Sequence, residues 1–195
     1  MSDNVIARDG GKKFTPHPEG QFAAVCTDVI DLGERVKEFP GTPPKITPTV
    51  ALVFETGEVN EDGKAHTVAK EFNVSMNEKA ALRQFLEAWR GKSYSEAEAR
   101  AGVPLGKLAG HAALVSVEHR TSAGGRTYAT FRTIAPLPKA MAAPELPAYT
   151  RADYWAERKA EYAEEVAKRR PAPAHEFETV PDALQDEEDG EGLPW

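Results

Sequence analysis

The sequence has little that would build a covalent framework or a membrane anchor. Its 195 residues include one cysteine, Cys26, so no disulfide can form within the chain, which is typical of a reducing compartment. No run approaches the roughly 18 apolar residues that cross a bilayer, and the start MSDNVIARDGGKK lacks the apolar core of a signal peptide. We therefore expect a soluble cytoplasmic protein with one core and no membrane contact.

Motifs of common catalytic sites are missing as well. The sequence has no glycine-rich phosphate loop followed by Lys and Ser or Thr, and no Gly-x-Ser-x-Gly nucleophile turn. One cysteine cannot build a zinc cluster, and no metal-ligand spacing is present among the five histidines: His17, His66, His111, His119 and His175. We therefore expect neither an enzyme nor a bound cofactor or metal.

The net charge of −7 is unevenly distributed. Residues 171–195 hold eight acidic side chains and no Lys or Arg, and leaving them out gives +1 for residues 1–170. The acidity is thus a property of the last segment, and the body is nearly neutral. A neutral body binds an anion only where its cations cluster.

Composition divides the chain into five parts. Polar residues with Gly and Pro predict a flexible arm over 1–20, and recurring apolar segments predict the folded domain over 21–138. An Ala/Pro linker follows at 139–149, then a charged helix at 150–170 and a disordered acidic tail at 171–195.

The predicted charged helix carries both a start signal and a weak apolar stripe. Thr150 with Asp153 three residues on matches a capping box. Trp155, Tyr162 and Val166 form a thin stripe, so the helix is weakly amphipathic.

Alternating apolar residues predict five strands, at 21–32, 45–56, 66–75, 111–120 and 126–135. Gly and Pro predict a loop at 33–44, and turn residues follow at 57–64. Helical spacing replaces alternation within 75–92, and TSAGG between the last two strands is a hairpin signal.

The resulting order is β-β-β-α-β-β. It predicts a mainly β fold, a five-stranded OB-fold barrel with a C-terminal helix and a disordered acidic tail. OB-folds bind oligonucleotides on the face of strands 2 and 3, beside the loops joining strands 1–2 and 4–5. A mixed α+β sheet is the alternative that this order leaves open.

Three blocks carry a resemblance that covers residues 14–142: FTPHPEGQFAAVCTDVIDLG, KEFNVSMNEKAALRQFLEAWRGKSYSEAEA and GRTYATFRTIAPLPKAM. Together they resemble phage-encoded single-stranded DNA-binding proteins of the OB-fold type. The resemblance implies a role in phage DNA replication, recombination or repair inside a bacterial host, with single-stranded DNA as partner. Lys79 lies within the resembling blocks, but its residue type alone does not indicate a role. A homo-oligomer is neither implied nor excluded.

Binding single strands without reading sequence needs cations along the phosphates and flat side chains for the bases. Two patches at the expected loops offer both. Loop 1–2 and the entry to strand 2 contribute Arg35, Lys37, Phe39 and Lys45, and the 4–5 hairpin contributes Arg120, Arg126, Tyr128 and Arg132. The structural alternatives are an ordinary solvated loop and a polar outer face of the barrel.

Alternation also assigns the aromatic residues. In strand 5, Tyr128 and Arg132 share one face, and Phe131 is assigned to the core on the other. In strand 3, Lys70 shares parity with Phe72, so Lys70 is expected at the rim, and both enter the candidate DNA surface even though core is the better assignment for Phe72.

The segment DEEDGEGLPW, residues 186–195, combines charge with apolar residues. It resembles the carboxy-terminal tip of bacterial and phage single-stranded DNA-binding proteins, in which the last residue is typically Phe where this chain has Trp195. The resemblance implies that the tip binds replication, recombination or repair proteins. The candidate partner-binding residues are Asp186, Glu187, Glu188, Asp189, Glu191, Leu193, Pro194 and Trp195. Unbound, the acidic tail is expected to lie along the cationic DNA surface.

Two functions of different classes fit these observations. The clustered cations and the tail favour a single-stranded DNA-binding protein. The balance of 18 basic and 18 acidic residues over 1–149 favours an OB-fold protein–protein adaptor without significant DNA affinity.

Overall fold

The structure, a computed structural model, describes residues 15–39, 41–61, 63–145 and 147–169, with the side chain of Phe39 left out. In chain order its elements are β1 Gly20–Phe39, β2 Thr42–Val59, β3 Ala65–Asn73, α1 Ala81–Arg90, α2 Glu96–Ala101, a 3-10 helix Leu105–Leu108, β4 Ala112–Thr121, β5 Thr127–Pro136, a second 3-10 helix Ala152–Trp155 and α3 Ala156–Arg169. The five strands, the helix between the third and fourth and the C-terminal helix confirm the predicted element order. The segment 96–108 adds two short helices that were not predicted.

All five strands lie in one antiparallel sheet of order β3-β2-β1-β4-β5. The edge strands β3 and β5 approach within 8 Å between Cα atoms, but no ladder joins the described residues of these two strands. The sheet is therefore open, and the expected closed barrel is not confirmed. Helix α1 contacts both edge strands and lies over the gap between them.

β1 belongs to both halves of the sheet. Residues 20–25 pair with β4, and residues 25–39 pair with β2. Register shifts between Cys26 and Asp28 and between Asp31 and Gly33 interrupt the ladder with β2. Because such shifts bend and twist a strand, they let one strand serve two neighbours.

The predicted loop over 33–44 is wrong, because β1 and β2 continue as a hairpin to Phe39 and Thr42. Gly33 takes a φ of +74° at a register shift, and its N–H donates to Asp31 Oδ1 at 2.8 Å. The glycine therefore accommodates an irregularity within the strand instead of ending it.

The core lies between α1 and one face of the sheet. Phe54 packs edge-to-face with Trp89 and Phe131, at centroid distances of 5.0 and 5.2 Å, and Phe85 lies 5.5 Å from Phe131. The Trp89 Nε1–H donates to the Ala112 carbonyl at 2.9 Å, so its polar atom is satisfied. This packing confirms the assignment of Phe54 and Phe131 to the core.

The chain before β1 is partly fixed to the domain. Residues 1–14 lie outside the described residues, but His17 is 1% exposed and its Nε2 lies 2.6 Å from Thr56 Oγ1. The Glu19 carboxylate accepts from the His119 N–H at 2.7 Å. Residues 17–20 of the predicted arm are therefore attached to the domain. Among the described helices, none has the length and apolar character needed to span a membrane.

Gly91 ends α1 and gives the first testable prediction. Its φ is +69°, and a Cβ built there would lie 2.8 Å from Cγ of Pro136, at the end of β5. We expect Gly91→Ala to lower the free energy of unfolding by at least about 1–2 kcal/mol, because a left-handed residue with a Cβ is strained and the proline ring cannot yield easily.

Gly106→Ala is the matched control, since nothing lies within 4 Å of its Cβ position and its φ is ordinary. Urea unfolding of both variants decides the matter. Equal stability of the two would show that α1 and β5 are not held this closely.

Candidate nucleic-acid interface

Helix α3 packs mainly on the outer face of β1 and reaches β2 and β3 through Tyr162 and Arg158. The Glu71 carboxylate on β3 accepts from Arg35 Nη1 at 2.9 Å, from Arg158 Nε at 3.1 Å and from the Tyr162 hydroxyl at 2.6 Å. Tyr162 also packs against Leu32 and Ala51. Burial and the hydrogen bond to Glu71 raise the pKa of the Tyr162 hydroxyl, which keeps it protonated as the donor.

A second set of carboxylates fixes the chain just before α3. Glu55 accepts from Arg151 Nε at 2.6 Å and from the Tyr149 hydroxyl at 2.9 Å. Asp28 accepts from the Thr150 hydroxyl at 2.5 Å and from the Arg151 N–H at 3.2 Å. Both carboxylates are buried. The end of the predicted linker is therefore attached to the sheet.

The predicted capping box at Thr150 is wrong. The Thr150 hydroxyl donates to Asp28 and accepts from the Ala152 N–H, and the chain enters the second 3-10 helix without a side-chain cap. The capping box that forms lies at α2, where Ser95 and Glu98 bond reciprocally. A tertiary partner for Thr150 therefore outweighed the local pattern.

Part of the predicted DNA-binding patch on the β1–β2 hairpin packs against α3. The Arg35 guanidinium lies 4.6 Å from the centroid of the Tyr162 ring while it pairs with Glu71. Lys37 and Lys45 are cross-strand neighbours, and Lys45 is exposed. Burial and the nearby Arg35 lower the pKa of the half-buried Lys37. The backbone of Phe39 pairs with Thr42, and its side chain lies outside what the structure describes.

The β4–β5 hairpin presents its predicted residues at the surface. Arg120 and Tyr128 are cross-strand partners, so they share one face, and Tyr128 is 41% exposed. Arg120 pairs with Glu118 on its own strand at 2.6 Å. Arg126 is exposed at the turn, where the Ser122 N–H donates to its carbonyl at 2.9 Å.

Lys70 and Arg132 meet in a groove between the open edges of the sheet. This edge groove has a volume of about 340 Å³ and is lined by Lys70, Ala81, Gln84, Phe85, Ala88, Phe131, Arg132, Thr133 and Ile134. No carboxylate is among these residues. Within the described ranges neither cation forms a salt bridge, although the Lys70 ammonium lies 5.6 Å from the Phe72 ring centroid.

The side chains of Lys70 and Phe72 on β3 have different surroundings. Lys70 has the core-facing parity of Leu52, its cross-strand partner, yet its side chain is half-buried and reaches the groove. Phe72 is 3% exposed and packs 4.8 Å from Phe85. Phe72 is therefore a core residue, and its buried ring offers no surface on which a base can stack.

Arg132 also departs from the predicted arrangement. The ladder shifts register between Ser116 and Val117, which pair with Thr133 and Phe131, so Arg132 has no cross-strand partner. At this bulge Arg132 lines the edge groove together with Phe131, whereas Tyr128 lies farther along β5, about 13 Å away at 3.3 Å per residue. The two residues therefore do not act as one alternating platform.

Two features escaped the sequence pattern. The outer-face packing of α3 was signalled only by the stripe of Trp155, Tyr162 and Val166, of which Tyr162 and Val166 are buried. The edge groove had no local signal, because Lys70 and Arg132 come from strands far apart in the chain. The candidate tail residues, 186–195, lie outside the described residues.

No protein-family model and no curated protein matches the chain.

The contacts of Glu71 generate the second prediction. Glu71→Ala leaves Arg35, Arg158 and the Tyr162 hydroxyl without their acceptor, so we expect a loss of about 1–3 kcal/mol in unfolding free energy and faster tryptic cleavage within α3. Circular dichroism during urea unfolding and timed proteolysis provide the two measurements.

Glu161→Ala on the exposed side of α3 is the control, because its contact with Arg158 is 3.8 Å long and solvated. If both variants resist trypsin equally, Glu71 does not hold α3 on the sheet.

Proposed function

We propose that the protein binds single-stranded DNA without sequence preference, through the edge groove and the adjoining β4–β5 hairpin. The observation that carries the proposal is the edge groove itself. It holds two cations without a salt bridge to any described residue, and no carboxylate lines it. Such a groove attracts a phosphate backbone.

The sheet supports an OB-fold-like assignment of this surface. Its element order, the sharing of β1 between β2 and β4, and the approach of β3 to β5 are features of a small five-stranded barrel that is partly open. In such folds oligonucleotides bind on strands 2 and 3 beside loops 1–2 and 4–5. Here α3 packs mainly on β1 and reaches Ala51 of β2 and Glu71 of β3, which covers part of this face. We therefore place the DNA strand along β5 and the gap beside β3.

The proposed role of each side chain in DNA binding follows from its chemical type. Lys70 and Arg132 in the edge groove, with Arg120 and Arg126 on the hairpin, contact phosphates. Tyr128 offers an exposed ring on which one base stacks, whatever its identity. The interaction is therefore electrostatic with a stacking component, and it involves no covalent chemistry.

The resemblance of the sequence blocks extends this proposal to a biological role. The protein coats exposed strands during phage DNA replication and recombination, and residues 186–195 recruit replication, recombination or repair proteins. An apolar anchor of Leu193, Pro194 and Trp195 beside five carboxylates suits a basic-rimmed pocket on such a partner.

A protein–protein adaptor is the second candidate, and one observation favours it. Several of the predicted DNA-binding cations already pair within the chain, Arg35 with Glu71 and Arg120 with Glu118. Their charges are partly neutralised, which lowers their attraction for phosphate.

Salt dependence separates the two candidates. We expect fluorescence anisotropy of labelled oligo(dT) to report binding that weakens with salt, with a slope of about −0.7 in log K against log salt for each phosphate contact. Lys70→Gln and Arg132→Gln should each make the slope less negative by about 0.7. Lys159→Gln, an exposed lysine on α3, is the control and should leave the slope unchanged. Absence of binding at low salt would favour the adaptor.

Tyr128 and Phe131 test which side of β5 faces the DNA. Tyr128→Ala should weaken binding by about 1–3 kcal/mol with an unchanged melting temperature, because an exposed stacking ring packs little. Phe131→Ala should instead cost about 3–5 kcal/mol in stability, because Phe131 is 3% exposed in the core.

Tyr128→Phe is the matched variant that keeps the ring, and it should bind like the unchanged protein. Normal binding by Tyr128→Ala would remove Tyr128 from the interface.

A further inference from the structure

A second, larger groove lies where the chain leaves β5. This exit groove has a volume of about 730 Å³, and its lining residues are Leu86, Trp89, Arg90, Tyr94, Leu108, Gly110, His111, Ala112, Pro136, Leu137, Pro138, Lys139, Met141 and Ala143. The floor is apolar. Leu86 and Trp89 are buried core residues of α1, and Met141 at the mouth is 40% exposed.

The rim of the exit groove carries basic side chains. Arg90, His111 and Lys139 are among the lining residues, and none of the lining residues is acidic. Arg90 already pairs with Glu98 at 2.7 Å and lies over the Tyr94 ring at 4.6 Å, so part of its charge is compensated. Lys139 is exposed and forms no salt bridge within the described part of the chain. The groove therefore suits an apolar group that is flanked by carboxylates.

The two grooves flank α1 without sharing a lining residue. Ala81, Gln84, Phe85 and Ala88 face the edge groove, whereas Leu86, Trp89 and Arg90 face the exit groove. A ligand in the exit groove therefore leaves Lys70 and Arg132 accessible.

The chain itself contains a segment with the required chemistry. Residues 186–195 place Asp186, Glu187, Glu188, Asp189 and Glu191 just before Leu193, Pro194 and Trp195. The described chain stops at Arg169, and the 17 steps to Asp186 span up to about 55 Å when extended. A domain of about 170 residues has a radius of gyration near 15 Å, so this length reaches any part of its surface.

We propose that Leu193, Pro194 and Trp195 dock in the exit groove of their own chain, with the preceding carboxylates facing Lys139 and His111. Tethering makes the contact intramolecular, so a weak apolar anchor is held at an effective concentration in the millimolar range. The segment is then stored away from the edge groove, in contrast to the expectation that the acidic run lies on the DNA-binding cations. This docking does not depend on whether the protein binds DNA.

Photo-cross-linking of the full-length protein tests the docking. Trp195 is replaced by p-benzoylphenylalanine, and the cross-linked peptides are mapped by mass spectrometry in a mixture of isotopically light and heavy protein. We expect cross-links to residues 136–143 or to the end of α1, within single chains. A synthetic peptide of residues 186–195 in excess should compete, and the same peptide with Leu193 and Trp195 replaced by Ala should not.

Two exposed groove positions supply the variants, so that the fold is retained. Met141→Glu and Lys139→Glu should each lower the cross-link yield by about tenfold, since an interface anchor and its complementary charge are lost. The pair Lys70→Glu and Arg132→Glu in the edge groove is the control and should leave the yield unchanged. Cross-links to the β4–β5 hairpin or the edge groove, cross-links between chains, or no cross-link would overturn the proposal.

Discussion

The carboxylate of Glu71 lies where the sheet meets the C-terminal helix, and three donors from two other elements converge on it. Arg35 comes from β1, and Arg158 and Tyr162 come from α3. The Glu71 side chain is 16% exposed, and a largely buried carboxylate is stabilised when its oxygens accept hydrogen bonds. These hydrogen bonds hold α3 on the outer face of the sheet.

The covered face decides which surfaces remain for binding. Arg35 is bound between Glu71 and Tyr162, and the chain just before the second 3-10 helix is held by Glu55 and Asp28. Lys70 and Arg132 in the edge groove and Lys139 at the exit groove form no salt bridge within the described residues. In a body with nearly balanced charge, such places matter more than the net charge, because an anion responds to the local field.

The open sheet gives α1 a double role. It closes the core over the gap between β3 and β5, and its two flanks form walls of the two grooves. The edge groove is small and positively charged, which suits a phosphate backbone. The exit groove is larger and has an apolar floor, which suits a hydrophobic side chain. The two proposed ligands therefore differ in chemistry, and each groove selects one of them.

The sequence by itself determined the number and order of the strands, α1 and the two faces of the first half of β5, because the alternation of apolar and polar residues is a local property that burial of one face imposes. It therefore placed Phe131 in the core and Tyr128 at the surface. Local patterns failed where a distant contact competed with them. Strand β1 continues through Gly33, which forms an irregularity within the strand. The Thr150 hydroxyl donates to Asp28 instead of forming a capping box.

Only the tertiary structure brought Arg35, Glu71 and Tyr162 together, across separations of 36 and 91 residues, and only it placed Lys70 beside Arg132. No periodicity encodes such pairs, since they depend on how far the sheet bends and on which of its faces receives the last helix.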